Sequence, residues 1–490
     1  MNRAIVIGAG LGGLAAALRL RARGYRVEII DRCREPGGRA QVFHRNGYVF
    51  DAGPTVITAP FLFEELFGLF NKRLSDYVAL VPLKPWYRFC FPDGDTFDYG
   101  GSQEEILQEI SRISPEDRTG YLDLVAESKA IFDIGFSLLA DKPFHQLNEM
   151  IRQIPNLMRL RCHRSVWDLV TQHLKHEKLR QAFSIQPLLV GGNPFDTTCI
   201  YSLIHYLELQ WGVHFVMGGT GALTVALHRL LKEQGVRLHL NATVKRCTVE
   251  KQVIRHVETT DGRQFDAELF VANCDPLHLY SDLLPRESVR FSARLKGHLA
   301  ARSMGLFVLY LGTDRKYESL AHHTIWLGRR YRSLLDDIFK RKILADDFSL
   351  YLHRPTATDP SLAPAGCDAF YVLAPVPNLL GNVDWDTVRW SYGNKIIHAL
   401  ETSIMPELSA CIVERFDMTP NEFHNDYMSP AGDGFSIAPT FRQSAWFRYH
   451  NQGEGPKNLF LVGAGTHPGA GLPGVLCSAK VLEHLLPDSA

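Results

Sequence analysis

The sequence has 490 residues, 46% of them hydrophobic and 22% charged, so it is long enough for two or three packed domains and is neither disordered, collagenous nor a coiled coil. Lys plus Arg equals Asp plus Glu at 53 each, which removes any global field for nucleic acid and leaves an anionic partner to a local patch. Nine scattered cysteines, an odd number never spaced as CxxC, argue against a disulfide framework and a zinc site and fit a reducing cytoplasm.

The amino terminus reads strand, glycine turn, helix, strand. Residues 4–7 are apolar, GAGLGG follows at 8–13, residues 14–23 are helix formers stopped by Gly24, and 27–30 are apolar again. No cleavage pattern follows the glycine-broken apolar run, so it is a fold element and not a signal peptide. Gly8, Gly10 and Gly13 complete GxGxxG, with Gly12 inside the same turn: the first allows the tight turn, the second a close pyrophosphate, the third close helix packing. A phosphate would sit on the N-terminus of the following helix. Asp31 ends the second strand, where a carboxylate accepts from a ribose diol. Gly37 and Gly38 then let the chain pass close to a cofactor, and Arg39 offers a planar fork for phosphate.

Further along, YRFCFPDGDTFDY (87–99) alternates about Pro92-Asp93-Gly94, the pattern of a hairpin that begins an antiparallel sheet. Ser114-Pro115-Glu116-Asp117 predicts an N-cap and first turn, opening a mainly helical lobe that runs to about residue 207. GGTGAL (218–223) leads into a helix ending at Gly235, then a strand over 236–240, a hairpin-like run to 257, a turn at Asp261-Gly262 and a short strand at 269–271. Alternation returns over 290–428, as in MGLFVLYL (304–311) and AFYVLAPV (369–376). The last unit, NLFLVGAGTHPGAGLPGVLCSAK, is strand, glycine loop and helix again. Residues 209–228 and 458–479 lack charge, but their glycines and prolines break any membrane-spanning helix.

The segment DRCREPGGRA, continued by Asp51-Ala52-Gly53-Pro54-Thr55, resembles the glycine-doublet signature of FAD-dependent amine oxidases and carotenoid desaturases. LVGAGTHPGAGLPGV (461–475) resembles the signature of bacterial-type phytoene desaturases, and LLVGGNPF, GGTGAL, DFSLYLH and QSAWFR extend the likeness over nearly the whole chain. The resemblance implies an α/β fold: a Rossmann-like FAD-binding domain from discontinuous segments (1–75, 214–285, 432–490), a substrate domain with an antiparallel or mixed sheet (76–113, 286–431), and a helical, membrane-associating lobe (114–213). It implies noncovalent FAD and stepwise desaturation of phytoene to lycopene, by hydride transfer to the flavin with loss of a proton from the neighbouring carbon. Oxygen or a quinone is the implied electron acceptor, and oligomerisation is open. Gly463, Ala464, Gly465 and Thr466 are expected beside the ribityl chain, and Gly474 and Val475 open a helix whose positive end faces the flavin ring. Val244 resembles the position whose backbone meets adenine in related flavoproteins.

A C40 hydrocarbon substrate requires a route from the bilayer. IRQIPNLMRLRCHRS (151–165) interleaves Arg152, Arg159, Arg161 and Arg164 with apolar residues and has no acid, which suits an anionic membrane surface; residues 131–140 offer a further insertion face or a piece of core. The expected location is therefore cytoplasmic and peripherally membrane-associated. No catalytic acid or base is marked: Glu149, Asp168 and Glu208 read as solvated or salt-bridged carboxylates. His322-His323 lacks partners at ligand spacing, so no metal is expected, and Cys33 and Cys477 read as packing residues. The rivals are a carotenoid isomerase, a C30 diapocarotenoid desaturase, and a prenyl-lipid-binding regulator like the GDP-dissociation inhibitors.

Overall fold

A computed structural model describes residues 2–486. Five short strands, mainly apolar but for the edge strand Arg237–His239, form a parallel sheet in the order Leu459–Leu461, Leu269–Ala272, Arg3–Ile7, Arg26–Ile30, Arg237–His239, so both chain ends and the middle meet in one layer. The register pairs Ile7 with Ile30 and with Ala272, and Ala272 with Leu461. Four strands therefore stop together, and Gly8, Asp31, Asn273 and Val462 follow along one edge. In a parallel α/β sheet that edge is where ligands bind.

The first helix, Leu11–Ala22, is buried from Leu11 to Leu20 because it lies beneath the sheet against the helices Thr220–Glu233 and Leu472–Leu485. Its one charge there, Arg19, is held by Glu483 at 2.5 Å and Glu65 at 3.4 Å. Gly24 closes it with φ +88°, as expected of a residue just past a helix end.

A seven-stranded mixed sheet forms the second layer, ordered Ile412–Met418, Gly305–Thr313, Asp368–Val376, Leu350–His353, His323–Trp326, Tyr87–Cys90, Thr96–Tyr99. The hairpin read from the sequence is its edge, with Tyr87 opposite Tyr99. Gly305–Thr313 is buried throughout, which explains why that run is almost continuously apolar.

Helices from Gln103–Ile113 to Leu203–Trp211 make the lobe. Its start differs from expectation: Ser102 caps Gln103–Ile113 in a reciprocal box with Glu105, whereas Ser114 ends that helix and the next begins at Asp117. The Ser-Pro pair thus marks a junction between two helices. Among the described residues no helix is long and apolar enough to cross a membrane.

Candidate functional site

The glycine turns meet at the sheet edge. Gly37 N donates to Ala9 O at 2.8 Å, and a Cβ on Gly38 would lie 3.3 Å from the Gly10 Cα. Asp31 sits between them, Oδ2 accepting from Ala9 N at 2.5 Å and Oδ1 from Cys33 N at 2.7 Å. From the carboxyl-terminal unit, Gly465 packs so tightly that a Cβ would fall 2.2 Å from Pro276 Cδ, and one on Gly474 would lie 2.6 Å from Gly469 O.

These segments wall a continuous cavity of about 570 Å³. Gly8, Gly10, Gly12, Asp31, Gly37, Gly38, Arg39, Val244, Gly463, Ala464, Gly465, Gly474 and Val475 all line it. Two expected residues do not. Gly13 is held beneath the turn, where a Cβ would be 2.0 Å from Gly8 O, and Thr466 is fully buried with its hydroxyl turned back to Gly463 O at 3.0 Å.

The wall fits a flavin dinucleotide. Helices Leu11–Ala22 and Leu472–Leu485 begin at Gly10 and Gly471, which bring no side-chain cap, so both present positive ends to the cavity. Arg39 lines the same wall and has no ion-pair partner among the described residues. Burial pushes the Cys33 thiol up to about 11 and the Cys477 thiol to about 12, so both are protonated packing groups.

Three residues that hold this cradle were not singled out in the sequence, although Arg448 ends the QSAWFR segment and Ser478 lies in the final unit. Asn273, one step past its strand, turns its carboxamide oxygen to Gly10 N at 3.3 Å and Gly13 N at 3.2 Å. Ser478 Oγ accepts from Gly463 N at 2.8 Å. The buried Arg448 donates to Ala464 O at 2.6 Å and Thr466 O at 3.0 Å, fixing the GAGT loop from behind. Beneath the same loop, Arg302 bridges Asp275 at 2.8 Å and Asp433 at 2.6 Å, and Ser436 adds a hydrogen bond to Asp275 at 2.7 Å.

Beyond the glycine loops the cavity continues into the helical lobe between Leu188, Ile200, Leu203 and Tyr371. The segment 131–140 divides. Ile131, Phe132 and Ile134 are core, while Gly135, Phe136, Leu139 and Ala140 line the cavity, so this segment is mainly wall rather than an insertion face. Helix Leu147–Arg159 has no buried residue: Met150, Gln153 and Leu157 face the cavity, and Leu147, Ile151, Ile154 and Met158 are exposed, Met158 by 72%.

Three of the four arginines of the expected basic face meet two carboxylates, which offset about half of its charge. Arg164 is mostly buried on Glu127 at 2.5 Å, Arg161 lies 3.9 Å from the same carboxylate, and Arg152 pairs with Glu149 at 2.7 Å. None of the three lobe carboxylates lines the cavity. Glu149 makes that surface pair and Asp168 caps its helix through Ser165, but Glu208 is neither solvated nor salt-bridged. It is fully buried, accepts among the described residues only from Tyr87 OH at 2.7 Å, and its pKa is pushed up to about 8 by loss of water.

Because the folded carboxyl holds its proton far above its unfolded range, the folded state binds the extra proton from the ordinary carboxylate range up to about pH 8. Its contribution is fully present below that window and declines as pH rises through it, by at most about 1.4 kcal/mol per pH unit. Glu208→Gln is expected to remove this slope: the variant-minus-wild-type Tm should increase steadily from pH 5 to pH 8. A constant difference across thermal melts would contradict the assignment.

A family model for flavin-containing amine oxidoreductases matches residues 11–480. The chain is 46% identical to a lycopene-forming phytoene desaturase of Pseudescherichia vulneris over 99% of both chains. It is 40% identical to a neurosporene-forming phytoene desaturase of Rhodobacter capsulatus, over 100% of this chain and 94% of the relative. Among solved structures it is similar in fold to an oxidoreductase from Methanosarcina mazei, with TM-score 0.67 and 16% identity over 98% and 100% of the two chains. Cyclohexylamine oxidase from Brevibacterium oxydans gives TM-score 0.63 at 14% identity over 99% of each.

Proposed function

The chain belongs to the flavin-containing amine oxidoreductases, and from that premise we propose that it is an FAD-dependent desaturase that converts phytoene to lycopene. The observation that carries this reading is the single cavity running from the glycine cradle into an apolar passage of the helical lobe. A hydrocarbon chain offers no group for hydrogen bonding, so only such a passage can align it. Lycopene-forming relatives at 45–46% identity favour the C40 product over the C30 one, since the diapophytoene desaturases stand at 31–32%.

Bound in the cradle, FAD supplies the two-electron acceptor for C–H removal. The residues proposed to hold it are Asp31 at the ribose, Gly10, Gly12 and Arg39 at the phosphates, Val244 at adenine, and Gly463 to Gly465 with Gly474 and Val475 along the flavin. Arg448 and Asn273 keep those backbones in place. Leu188, Ile200 and Leu203 align the chain and exclude water. The carboxylates nearest the loop are already engaged, Asp275 by Arg302 and Ser436, which leaves alignment as the main task of the wall.

Helix Leu147–Arg159 is proposed as the membrane contact, because one face lines the passage and the other exposes four large apolar side chains. With Arg152 of the helix paired to Glu149 and Arg164 beyond it to Glu127, apolar insertion outweighs charge in this contact. Half-exposed side chains of this size each contribute about 1 kcal/mol on insertion. Ile151→Glu with Met158→Glu is therefore expected to cut vesicle co-sedimentation more than tenfold while flavin content stays at the wild-type level. Unchanged sedimentation would move the contact elsewhere.

The activity itself is tested by incubating flavin-loaded protein with phytoene liposomes in air. Absorbance growing into the visible is expected. Isomerisation alone leaves the conjugation length unchanged, and a lipid-binding regulator leaves the spectrum flat.

A further inference from the structure

We infer that His322, His323 and His353 form a transition-metal site, suited to zinc, at the inner side of the seven-stranded sheet. His323 and His353 are direct partners on neighbouring antiparallel strands, and His322 precedes the first of them. All three are buried, and each offers a ring nitrogen within 4.8 Å of those of the others.

Their hydrogen bonds are arranged as in a ligand set. His322 Nδ1 meets Thr358 Oγ1 at 2.7 Å, and His323 Nδ1 meets Tyr351 OH at 2.8 Å, which in turn lies 2.6 Å from Thr55 Oγ1. Each bond engages Nδ1 and leaves Nε2 free to bind a metal, the pattern by which outer partners fix a ligating imidazole. The Nε2 atoms of His322 and His323, and both ring nitrogens of His353, have no hydrogen-bond partner among the described residues. An unpaired buried polar atom costs about 1–3 kcal/mol, so convergence of several is expensive unless something accepts them together.

Asp51 approaches the set beside His353. Its Oδ1 accepts from Thr220 N at 2.8 Å, while Oδ2 is buried, unpartnered and 3.7 Å from His353 Nε2. Burial also holds all three imidazoles in the neutral form a metal requires, with His322 and His323 furthest below the usual range. Three imidazoles with a carboxylate beside one of them suit a borderline divalent ion; tetrahedral zinc, with bonds of about 2.0–2.1 Å, brings ligand atoms about 3.4 Å apart, so nitrogens within 4.8 Å of one another need to close by about 1.4 Å at most.

None of the four residues lines the cavity, but their neighbours Thr55 and Tyr351 do. The ion would brace the cavity wall by tying the end of strand Tyr48–Asp51 to the substrate sheet. Its role is structural and adds no step to the desaturation.

The test uses full-length, flavin-loaded protein purified without a metal-affinity tag and dialysed against metal-free buffer. Elemental analysis should find about one zinc per chain. Cobalt(II) added after chelation should give the intense visible bands of a four-coordinate site, and His353→Phe should lose both signals. Fewer than about one ion per ten chains together with no cobalt bands overturns the site. Equal retention by wild type and His353→Phe also overturns it. Should that variant not fold, metal content and the cobalt spectrum of the wild type decide alone.

Discussion

Gly13→Ala is expected to give a protein that purifies with less than about one tenth of the wild-type flavin, if it accumulates at all. A Cβ at this position would lie 2.0 Å from Gly8 O and 3.1 Å from the Gly8 carbonyl carbon, both backbone atoms that no rotamer change can move. Relief requires the helix Leu11–Ala22 to lift from the strand Arg3–Ile7, and that opens the turn whose Gly8, Gly10 and Gly12 face the cavity. Overpacking of this kind costs about 1–3 kcal/mol where side chains can yield, and more against backbone. Gly68→Ala is the matched control, since a Cβ there meets nothing within 4 Å. The ratio of flavin to protein absorbance in the two purified variants is the measurement; equal ratios would show that close helix packing does not shape the cradle.

Arg302→Ala should be the most destabilising charge substitution in the molecule. The guanidinium is 4% exposed and its two carboxylate partners 2% and 0%, so truncation strands two acids out of water beneath the Gly465 loop. Removing one member of a buried ion pair costs about 3–5 kcal/mol. In a chain of this size that corresponds to a Tm lower by about 3–5 °C. Arg302→Lys should recover little, because a single ammonium cannot reproduce the forked contacts of Nε with Asp433 and of Nη1 and Nη2 with Asp275. Adding Asp433→Asn to Arg302→Ala should restore part of the loss by discharging one stranded acid. Calorimetric melts showing less than about 1 kcal/mol for Arg302→Ala would contradict the buried network.

What could be read from the sequence was local. The strand-turn-helix at residues 3–22, the hairpin 87–99 and the final glycine loop carry their geometry in their own spacing, and all three occupy the expected elements. The same reading gave Gly13 its packing role but placed Thr466 beside the cofactor, because whether a loop residue lines or packs depends on which backbone lies opposite. Partners far along the chain were invisible. Arg448 and the GAGT loop, Asn273 and the first turn, or Glu127 and Arg164 meet only after folding, and no periodicity encodes them. Sequence spacing presented the histidine pair at 322–323 as isolated; strand pairing delivers His353. Glu208 failed for a related reason: on a lobe helix a carboxylate is expected to reach water, yet the fold seals it behind Tyr87.

The claim on which the account rests is that the cradle and the apolar passage are one cavity, so electrons leave a hydrocarbon lying in the lobe for a flavin lying on the sheet edge. Anaerobic mixing of flavin-loaded protein with phytoene in liposomes tests this most directly. The account predicts loss of the visible flavin band as absorbance from a longer polyene appears, at matching rates. A flavin band that stays unchanged with saturating phytoene would contradict it.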